Sequence, residues 1–579
     1  MFVILNPSPF VTLSEAKGLA FWLRVNSVKN LMISTESIIE ILRLSPQNDI
    51  TTQSPGERER VRGNIAKKEK EGSKAMKRDV TSIRGALEFL DGRGEVIHVT
   101  QEVDPIYEIA GIQKALDKGP VLMFEKIKGY PDMVDIGNFF SRRERLADLY
   151  DVDDPKKLKF KFVEAIHNPV PPRIVADGPC QEVVITKDID VLATLPVIKH
   201  TEFDAGRIMG CGNQLLCDSY RKGDSNVSFN RIHFRGKDWA SISTAQITHI
   251  GMMAFKTHRD VRIPLTVNIN PSPAVGIVAG TWNVRTIVPH GSDQLGIAGG
   301  FQGAPVELVK ARTVDAYSIA NAEIVLEGYL EPYSESVWES DLAEELGKQG
   351  SPKAPFFPEW VGYLGTSWKV RKLKITAITM RKDRPIFYTP LAAGLEYAGF
   401  DLLREATFFE LAERIAPGIC VDVFIPDYFK WGSGVIFQIR KERAQDEGFQ
   451  RNILMSALAD APGMRMAIAV DEDVDIYNAD DMMWALESRV DPDKDILKLP
   501  RGSRGIAAQP SELRERGIGG WEGGMAFDAT KPFNVAESYT RPHYPVDKVD
   551  LKKWFTEQQL KEIHSMQTDY AKALAKRGW

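Results

Sequence analysis

From about residue 80 onward, apolar side chains recur in two alternating rhythms, one typical of helices and one of strands. Residues 82–90 and 105–118 repeat apolar positions at helical spacing, and residues 119–124 form a short apolar run bounded by turn residues. Prolines at positions 169, 171 and 172 interrupt this pattern with an extended linker. The pattern predicts an N-terminal α/β domain over residues 76–200.

Residues 201–395 are dominated by strand-like segments. We predict strands at residues 213–217, 227–234, 262–269, 274–277, 323–330, 370–381 and 385–388. Helical spacing predicts two interruptions, at residues 244–255 and 304–313. Regularly spaced strands with turn residues between them favour a barrel as the central domain.

Residues 396–579 return to alternating helices and strands, which predicts a C-terminal α/β domain. Asp401 is expected to cap a helix that closes at Pro417 and Gly418. The last segment, residues 551–576, predicts one long amphipathic helix, a candidate for packing on a neighbouring subunit.

The first 75 residues differ from the rest. Residues 53–77 are polar and dense in Arg, Lys and Glu, a composition that predicts a solvated or disordered segment. We expect residues 1–75 to be a disordered or non-native extension, with Met76 as the natural start. A targeting or partner-binding arm is the alternative.

Composition narrows the functional class. A net charge of −5 and a pI near 6.1 lack the basic excess of a nucleic-acid-binding protein. The four cysteines have no zinc or redox spacing, and no apolar run reaches the length of a membrane span. We therefore expect a cytoplasmic protein that neither binds nucleic acid nor spans a membrane.

Three polar residues on separate segments form a candidate metal site. Asn226, His249 and Glu307 offer an amide oxygen, an imidazole and a carboxylate, which suit Mn²⁺, Mg²⁺ or Fe²⁺ better than a thiolate-seeking metal. Spacing alone leaves other interpretations open. His249 fits an interior histidine bonded to a backbone carbonyl, and Glu307 fits a solvated carboxylate at a helix start.

Several stretches occur together in the order of one known family. They are Asn226-Val-Ser-Phe-Asn-Arg231, Thr248-His249-Ile250, Gly303-Ala-Pro-Val-Glu307-Leu-Val-Lys310, Ala322-Glu-Ile-Val-Leu-Glu-Gly328, Ala377-Ile-Thr-Met-Arg-Lys-Asp383 and Val470-Asp-Glu-Asp-Val-Asp475. In this order and spacing, the chain resembles the UbiD family of prenylated-flavin decarboxylases. The resemblance covers nearly everything after residue 80.

The resemblance implies a fold and a cofactor site. The central domain is expected to be a split β-barrel of the flavin-reductase type. Asn226, His249 and Glu307 are expected to hold a divalent metal against the phosphate of prenylated FMN, with Mn²⁺ preferred, Fe²⁺ or Mg²⁺ as alternatives and K⁺ as a further cation. The residues expected near the cofactor are Ser228, Phe229, Asn230, Arg231 and Thr248, with Arg440 and Lys441 at its phosphate. A plain surface pair is the alternative for the last two.

Strand geometry sets a condition on this site. On a strand, Asn226, Ser228 and Asn230 share one face, whereas Phe229 and Arg231 lie on the other. The strand must therefore end or bulge if Asn226 and Arg231 serve one pocket.

The resemblance also implies the catalytic residues, with one departure. The family places an arginine between two carboxylates, and Arg231 and Glu359 match the arginine and the later, proton-donating carboxylate. The family motif Glu-Gly-Pro-Phe-Gly-Glu is here Lys353-Ala-Pro-Phe-Phe-Pro-Glu359, so the first carboxylate is missing. A substitute from the preceding acidic segment is one option, and a solvated acidic loop or helix is the other interpretation of that segment, which contains Glu335, Glu339, Asp341, Glu344 and Glu345.

These observations predict a reversible decarboxylase. Its substrate would be an aromatic or unsaturated carboxylic acid, with a bulky or thioester-activated acid as an option suggested by the altered motif. A flavin prenyltransferase would supply the cofactor, and an even-numbered homo-oligomer is expected. The alternatives are a non-catalytic or partner-dependent subunit of a larger aryl carboxylase, and a flavin oxidoreductase.

Overall fold

The fold is that of a computed structural model. It describes residues 78–217, 225–244, 249–252, 259–282, 284–289, 291–388, 390–429, 433–461, 463–504 and 521–579. The predictions made for residues 1–75 lie outside these ranges, as does the one for Thr248. Within the described ranges, no helix is both long and apolar enough to cross a membrane.

The N-terminal region alternates helices and strands, as predicted. Its elements are α1 (Ile83–Asp91), β1 (Val96–Val103), α2 (Glu108–Ala115), β2 (Val121–Ile127), β3 (Val134–Gly137), α3 (Arg143–Leu149), α4 (Leu158–His167), β4 (Arg173–Val175), β5 (Val183–Ile185) and α5 (Val191–Thr194). Ser82 begins α1 by accepting a hydrogen bond from the Gly85 amide at 3.1 Å.

The central region is rich in strands. Its elements are β6 (Ile208–Cys217), β7 (Ser225–Phe234), β8 (Trp239–Ile242), α6 (His249–Met252), β9 (Ile263–Ile269), α7 (Pro273–Gly280), α8 (Gln294–Gln302), β10 (Glu307–Lys310), β11 (Tyr317–Ile319), β12 (Ile324–Leu330), β13 (Val337–Trp338), α9 (Asp341–Glu345), β14 (Pro355–Pro358), β15 (Leu364–Thr366), β16 (Lys369–Met380) and β17 (Ile386–Tyr388). Strand β17 joins the N-terminal sheet, in the order β1-β2-β3-β17.

The main central sheet is curled. Its strands run β12-β9-β6-β7-β8-β16, and β16 pairs again with β12, so the two ends of the sheet meet. An apolar cluster that includes Ile232, Leu265, Leu326 and Ile375 is buried against it. The central region therefore contains a curled sheet, as the predicted barrel requires, while a split barrel of the flavin-reductase type stays a prediction.

The C-terminal region is a second α/β unit. Its elements are α10 (Tyr397–Ile415), β18 (Cys420–Phe424), β19 (Gly434–Ile439), α11 (Phe449–Asp460), β20 (Met466–Asp471), α12 (Ala479–Arg489), β21 (Ile496–Arg504), β22 (Trp521–Ala529), α13 (Glu557–Met566) and α14 (Asp569–Arg577). The sheet order is β18-β19-β20-β22-β21.

Short 3-10 turns occur in all three regions. Single turns lie at Pro155–Lys157, Pro179–Gln181, Tyr333–Glu335, Asp427–Phe429, Ala444–Asp446, Val546–Lys548 and Leu551–Lys553, and a longer segment at Phe533–Tyr539.

Four local predictions are wrong. Residues 304–313 contain strand β10 and no helix, because β10 pairs with β4 on one side and β11 on the other. Residues 274–277 belong to helix α7, all of which is buried, and a short apolar run does not distinguish a buried strand from a buried helix. Asp401 lies buried inside α10 rather than at its start. The terminal helix is divided, because Thr568 caps a new helix by accepting from the Ala571 amide at 3.1 Å.

Candidate active site

Strand β7 presents two different faces, as its alternation predicted. On one face the side-chain amides of Asn226 and Asn230 donate to the Ser228 hydroxyl oxygen, at 3.2 and 3.1 Å. On the other face Phe229 packs edge-on against Phe400, with ring centroids 5.1 Å apart. These two hydrogen bonds orient the three polar side chains with respect to one another.

The condition that the sequence set for the strand carrying Asn226 and Arg231 is not met, because the bulge lies in the neighbouring strand. Strand β7 runs without interruption from Ser225 to Phe234. In β6, Met209 pairs with Ile232 and Gly212 with Asn230, so β6 has one extra residue opposite Arg231. A bulge increases the local twist of the paired strands, and here it lies beside the candidate catalytic arginine.

Arg231 is held between two carboxylates. Its Nε and Nη2 donate to the two oxygens of Glu339 at 3.0 and 2.8 Å, and its Nη1 donates to Glu359. The side chains of Arg231, Glu339 and Glu359 are 12%, 1% and 19% exposed. The Phe356 ring lies 4.6 Å from the guanidinium carbon, within cation–π range. A buried cation is therefore fixed by one bidentate pair and one single contact.

Burial and charge oppose each other in this cluster. Burial lowers the pKa of Arg231, but the charges of Glu339 and Glu359 outweigh it, so the net shift is upward. Burial raises the pKa of Glu339, even though Arg231 and the Trp368 amide favour its charged form. The cluster thus places two carboxylates against one buried cation.

Glu339 resolves the departure noted in the sequence. The first carboxylate of the expected motif is absent near Lys353, whereas Glu339, the residue after β13, is paired with Arg231. The interpretation of the acidic segment as solvated is wrong for Glu339 and holds for Glu344 and Glu345, which are exposed on helix α9. The only sequence signal for Glu339 was its membership of that acidic segment.

The candidate metal ligands are partly described. Asn226 is buried on β7, and Glu307 begins β10, where its carboxylate accepts from Arg173. His249 starts α6, but its side chain lies outside the described residues. The Val227 amide donates to the Gln294 side-chain oxygen at 3.0 Å, which ties β7 to α8, the helix before Glu307.

The described donors fit a hard cation chemically. Amide and carboxylate oxygens suit Mn²⁺ or Mg²⁺, and Glu307 would exchange its contact with Arg173 for the metal. Within the described ranges, His, Cys, Asp and Glu side chains form no group of three suited to a metal.

Arg440 and Lys441 follow β19 and are engaged within the C-terminal region. Arg440 Nε donates to Glu472 at 2.8 Å. The side chain of Lys441 is 3% exposed and donates to the Thr530 hydroxyl oxygen at 3.0 Å and the Lys531 carbonyl at 2.6 Å. Binding a phosphate would require exchange of these contacts, and the phosphate role stays a prediction.

Comparison with known proteins gives a consistent result. Three domains of 3-octaprenyl-4-hydroxybenzoate carboxy-lyase match in succession: the N-terminal domain at residues 87–161, the Rift-related domain at 173–394 and the C-terminal domain at 400–529. Gallate decarboxylase of Lactiplantibacillus plantarum is 30% identical over 490 residues, which are 80% of this chain and 96% of that enzyme.

Solved structures agree. The apo 3,4-dihydroxybenzoic acid decarboxylase from Enterobacter cloacae is 30% identical with a TM-score of 0.71, over 83% of this chain and 99% of that one. The UbiD-class enzyme HmfF from Pelotomaculum thermopropionicum, in complex with FMN, is 28% identical with a TM-score of 0.70, over 82% of this chain and 100% of that one. An evolved dimeric form of HmfF, in complex with prFMN, is 26% identical with a TM-score of 0.69 at the same coverage.

Proposed function

This chain belongs to the UbiD family and is a carboxy-lyase, and from that premise we propose that it removes CO₂ from an aromatic or other unsaturated carboxylic acid, using prenylated FMN and a divalent metal. The observation that carries the proposal is the buried Arg231 held between Glu339 and Glu359. Carboxylation is the same chemistry under opposite mass action.

Arg231 is the substrate-binding group in this proposal. Its bidentate pair with Glu339 fixes the plane of the guanidinium, and its single contact with Glu359 is the one that an incoming carboxylate is able to replace. The Phe356 ring against the guanidinium keeps water from that side. Substrate binding thus frees Glu359 while Glu339 keeps Arg231 in place.

Glu359 is the proton donor in this proposal. Prenylated FMN would supply the electron sink for the pair left on carbon when CO₂ departs. A proton held on the Glu359 carboxyl group is then delivered to that carbon. Glu359 suits this role because it is the more exposed of the two carboxylates and is held by a single hydrogen bond to Arg231.

Asn226, His249 and Glu307 would hold the divalent metal, Mn²⁺ first among the candidates. Its charge would compensate the phosphate dianion of the cofactor, with K⁺ as a further cation. Support comes from the oxygen donors of Asn226 and Glu307 and from the FMN and prFMN complexes of HmfF.

The test is anaerobic purification after co-production with a flavin prenyltransferase. Mass spectrometry identifies the flavin, and elemental analysis counts the metal, in the wild type, His249→Ala and the exposed control His564→Ala. We expect prenylated FMN with near-stoichiometric metal in the wild type and the control, and loss of the metal in His249→Ala. Plain or missing flavin without metal in the wild type would contradict the proposal.

The alternative of a non-catalytic or partner-dependent subunit rested on the missing carboxylate. Glu339 removes that reason, because Arg231 has both carboxylates within one chain. The same observation weakens the case for a thioester-activated substrate. Decarboxylation by the purified chain alone distinguishes a complete enzyme from a dependent subunit.

The chain in this proposal forms a homo-oligomer through its C-terminal tail, residues 535–566. Apolar side chains between residues 535 and 566 are exposed in the single chain, including Tyr544, Trp554 and Met566. An exposed apolar stretch of this length favours burial against a second copy.

A further inference from the structure

A histidine outside the Arg231 cluster is oriented by a buried carboxylate. His200 lies between α5 and β6, and its Nδ1 is 3.0 Å from Asp204 Oδ2, which also accepts from the His200 backbone amide at 2.8 Å. The His200 and Asp204 side chains are 2% and 0% exposed. We call this pair the His200–Asp204 dyad.

The hydrogen bonds around Asp204 define which His200 nitrogen is free. Burial favours the neutral acid, but hydrogen bonds from His200 and Thr201 outweigh it and lower the pKa of Asp204. The other oxygen, Oδ1, accepts from the Thr201 amide at 3.1 Å and its hydroxyl at 2.7 Å. In the neutral imidazole, an Nδ1–H that donates to Asp204 leaves the lone pair on Nε2.

The Nε2 atom of His200 is buried. Among the described residues it has no hydrogen-bond partner. A buried polar atom without a partner is unfavourable, and each one in a native protein calls for an explanation, of which a catalytic or binding role is one. The dyad therefore has the form of a prepared acceptor.

The dyad adjoins the candidate active site. The Ala205 amide donates to the Phe356 carbonyl at 2.8 Å, which fastens the His200 loop to strand β14. The Phe357 ring lies 6.0 Å from the His200 ring and 5.7 Å from the Arg231 guanidinium carbon. One aromatic side chain thus contacts both the cation and the acceptor.

The surroundings of Phe357 are apolar. Phe357 clusters with Ile208, Phe356 and Ala392. The apolar surface around Phe357 thus has the Arg231 cation on one side and His200 on another. This arrangement suits a flat aromatic acid that carries an anionic group and a ring hydroxyl group.

Building on the proposed function, we propose that His200 determines substrate specificity by accepting, through Nε2, a hydrogen bond from a ring hydroxyl of an aromatic acid held by Arg231. Asp204 acts as its positioning residue. An acid without the hydroxyl leaves the buried acceptor unpaired and binds more weakly.

The test uses anions that cannot lose CO₂. Benzenesulfonate and its meta- and para-hydroxy derivatives are titrated calorimetrically into the anaerobic holoenzyme, in the wild type, His200→Phe, His200→Gln and Arg231→Met. We expect the wild type to bind one hydroxylated anion about tenfold more tightly than the plain one. His200→Phe should bind all three equally, and His200→Gln, which keeps an acceptor, should restore part of the preference.

Different results overturn different claims. Equal binding of plain and hydroxylated anions by the wild type, or a preference retained in His200→Phe, overturns the inference alone. Unchanged binding of benzenesulfonate by Arg231→Met overturns the proposed function. If a variant misfolds, nitrogen-15 NMR of the wild type tests the inference instead. The inference requires the Nδ1–H tautomer of His200 and a change in the Nε2 chemical shift when the hydroxylated anion binds, and the absence of either result overturns it.

Discussion

Gly365 controls the position of Glu359, and its replacement gives a prediction that can be worked out from distances. A Cβ atom at Gly365 would lie 2.5 Å from Glu359 Cγ and 2.7 Å from Oε1. Carbon atoms in contact are normally about 3.5–4.0 Å apart. In Gly365→Ala the carboxyl group must therefore move by about 1 Å, away from its place beside Arg231.

A displacement of about 1 Å at a catalytic group can lower the rate by about 100-fold, or about 2.7 kcal/mol of transition-state stabilisation. We expect that loss in kcat/KM for Gly365→Ala, measured as CO₂ release by the cofactor-loaded enzyme. Backbone strain does not contribute, because the φ angle of Gly365 is not in the left-handed region.

The matched control is Gly210→Ala, also next to the site. Its Cβ would make only ordinary contacts, 3.7 Å from Phe357 and 3.9 Å from the Pro390 carbonyl. It should retain activity within about threefold, and both variants should unfold near the wild-type temperature. Wild-type kcat/KM in Gly365→Ala would refute the role assigned to the position of Glu359.

Three further predictions concern the charge beside Arg231, the pH dependence of stability and the oligomeric state. Glu339→Gln removes half of the charge that balances the buried Arg231, so we expect a loss of stability of up to about 3 kcal/mol by denaturant titration, whereas exposed Glu345→Gln should change nothing. Burial raises the pKa of Glu396 from 4.5 to about 7. The folded state therefore keeps a proton that the unfolded chain releases, and stability should fall by up to about 3 kcal/mol as pH rises from about 4.5 to about 7. Denaturation curves of Glu396→Gln should lack that part of the pH dependence, and unchanged curves would contradict it. Trp554 is 65% exposed, and Trp554→Glu should reduce the mass measured by light scattering towards 64.8 kDa; a wild type already at that mass would argue against the oligomer.

The sequence predicted the alternating regions and the two faces of β7, because periodicity reports which side of an element is buried. The predicted helix around Glu307 was wrong, because this segment pairs with β4 and β11 although its apolar spacing is helix-like. The prediction for residues 274–277 was also wrong, because a fully buried helix has no polar face to reveal its period. Contacts with distant segments decide both cases.

The candidate site shows the same limit. Arg231 and Glu359 were identified by resemblance, and the structure brings them together. Glu339 was only one of five acidic residues, because its role depends on where β13 ends relative to β7. The His200–Asp204 dyad had no distinctive motif, and its free Nε2 emerges only from the hydrogen bonds around Asp204.

The most direct test of the account is release of labelled CO₂ from carboxyl-labelled aromatic acids by the cofactor-loaded wild type and Arg231→Met, with flavin content measured in the same samples. The account predicts release by the wild type and a loss of at least about 100-fold in Arg231→Met at equal flavin content. Equal release by both proteins would contradict the claim that Arg231, between Glu339 and Glu359, is the centre at which the carboxylate is lost.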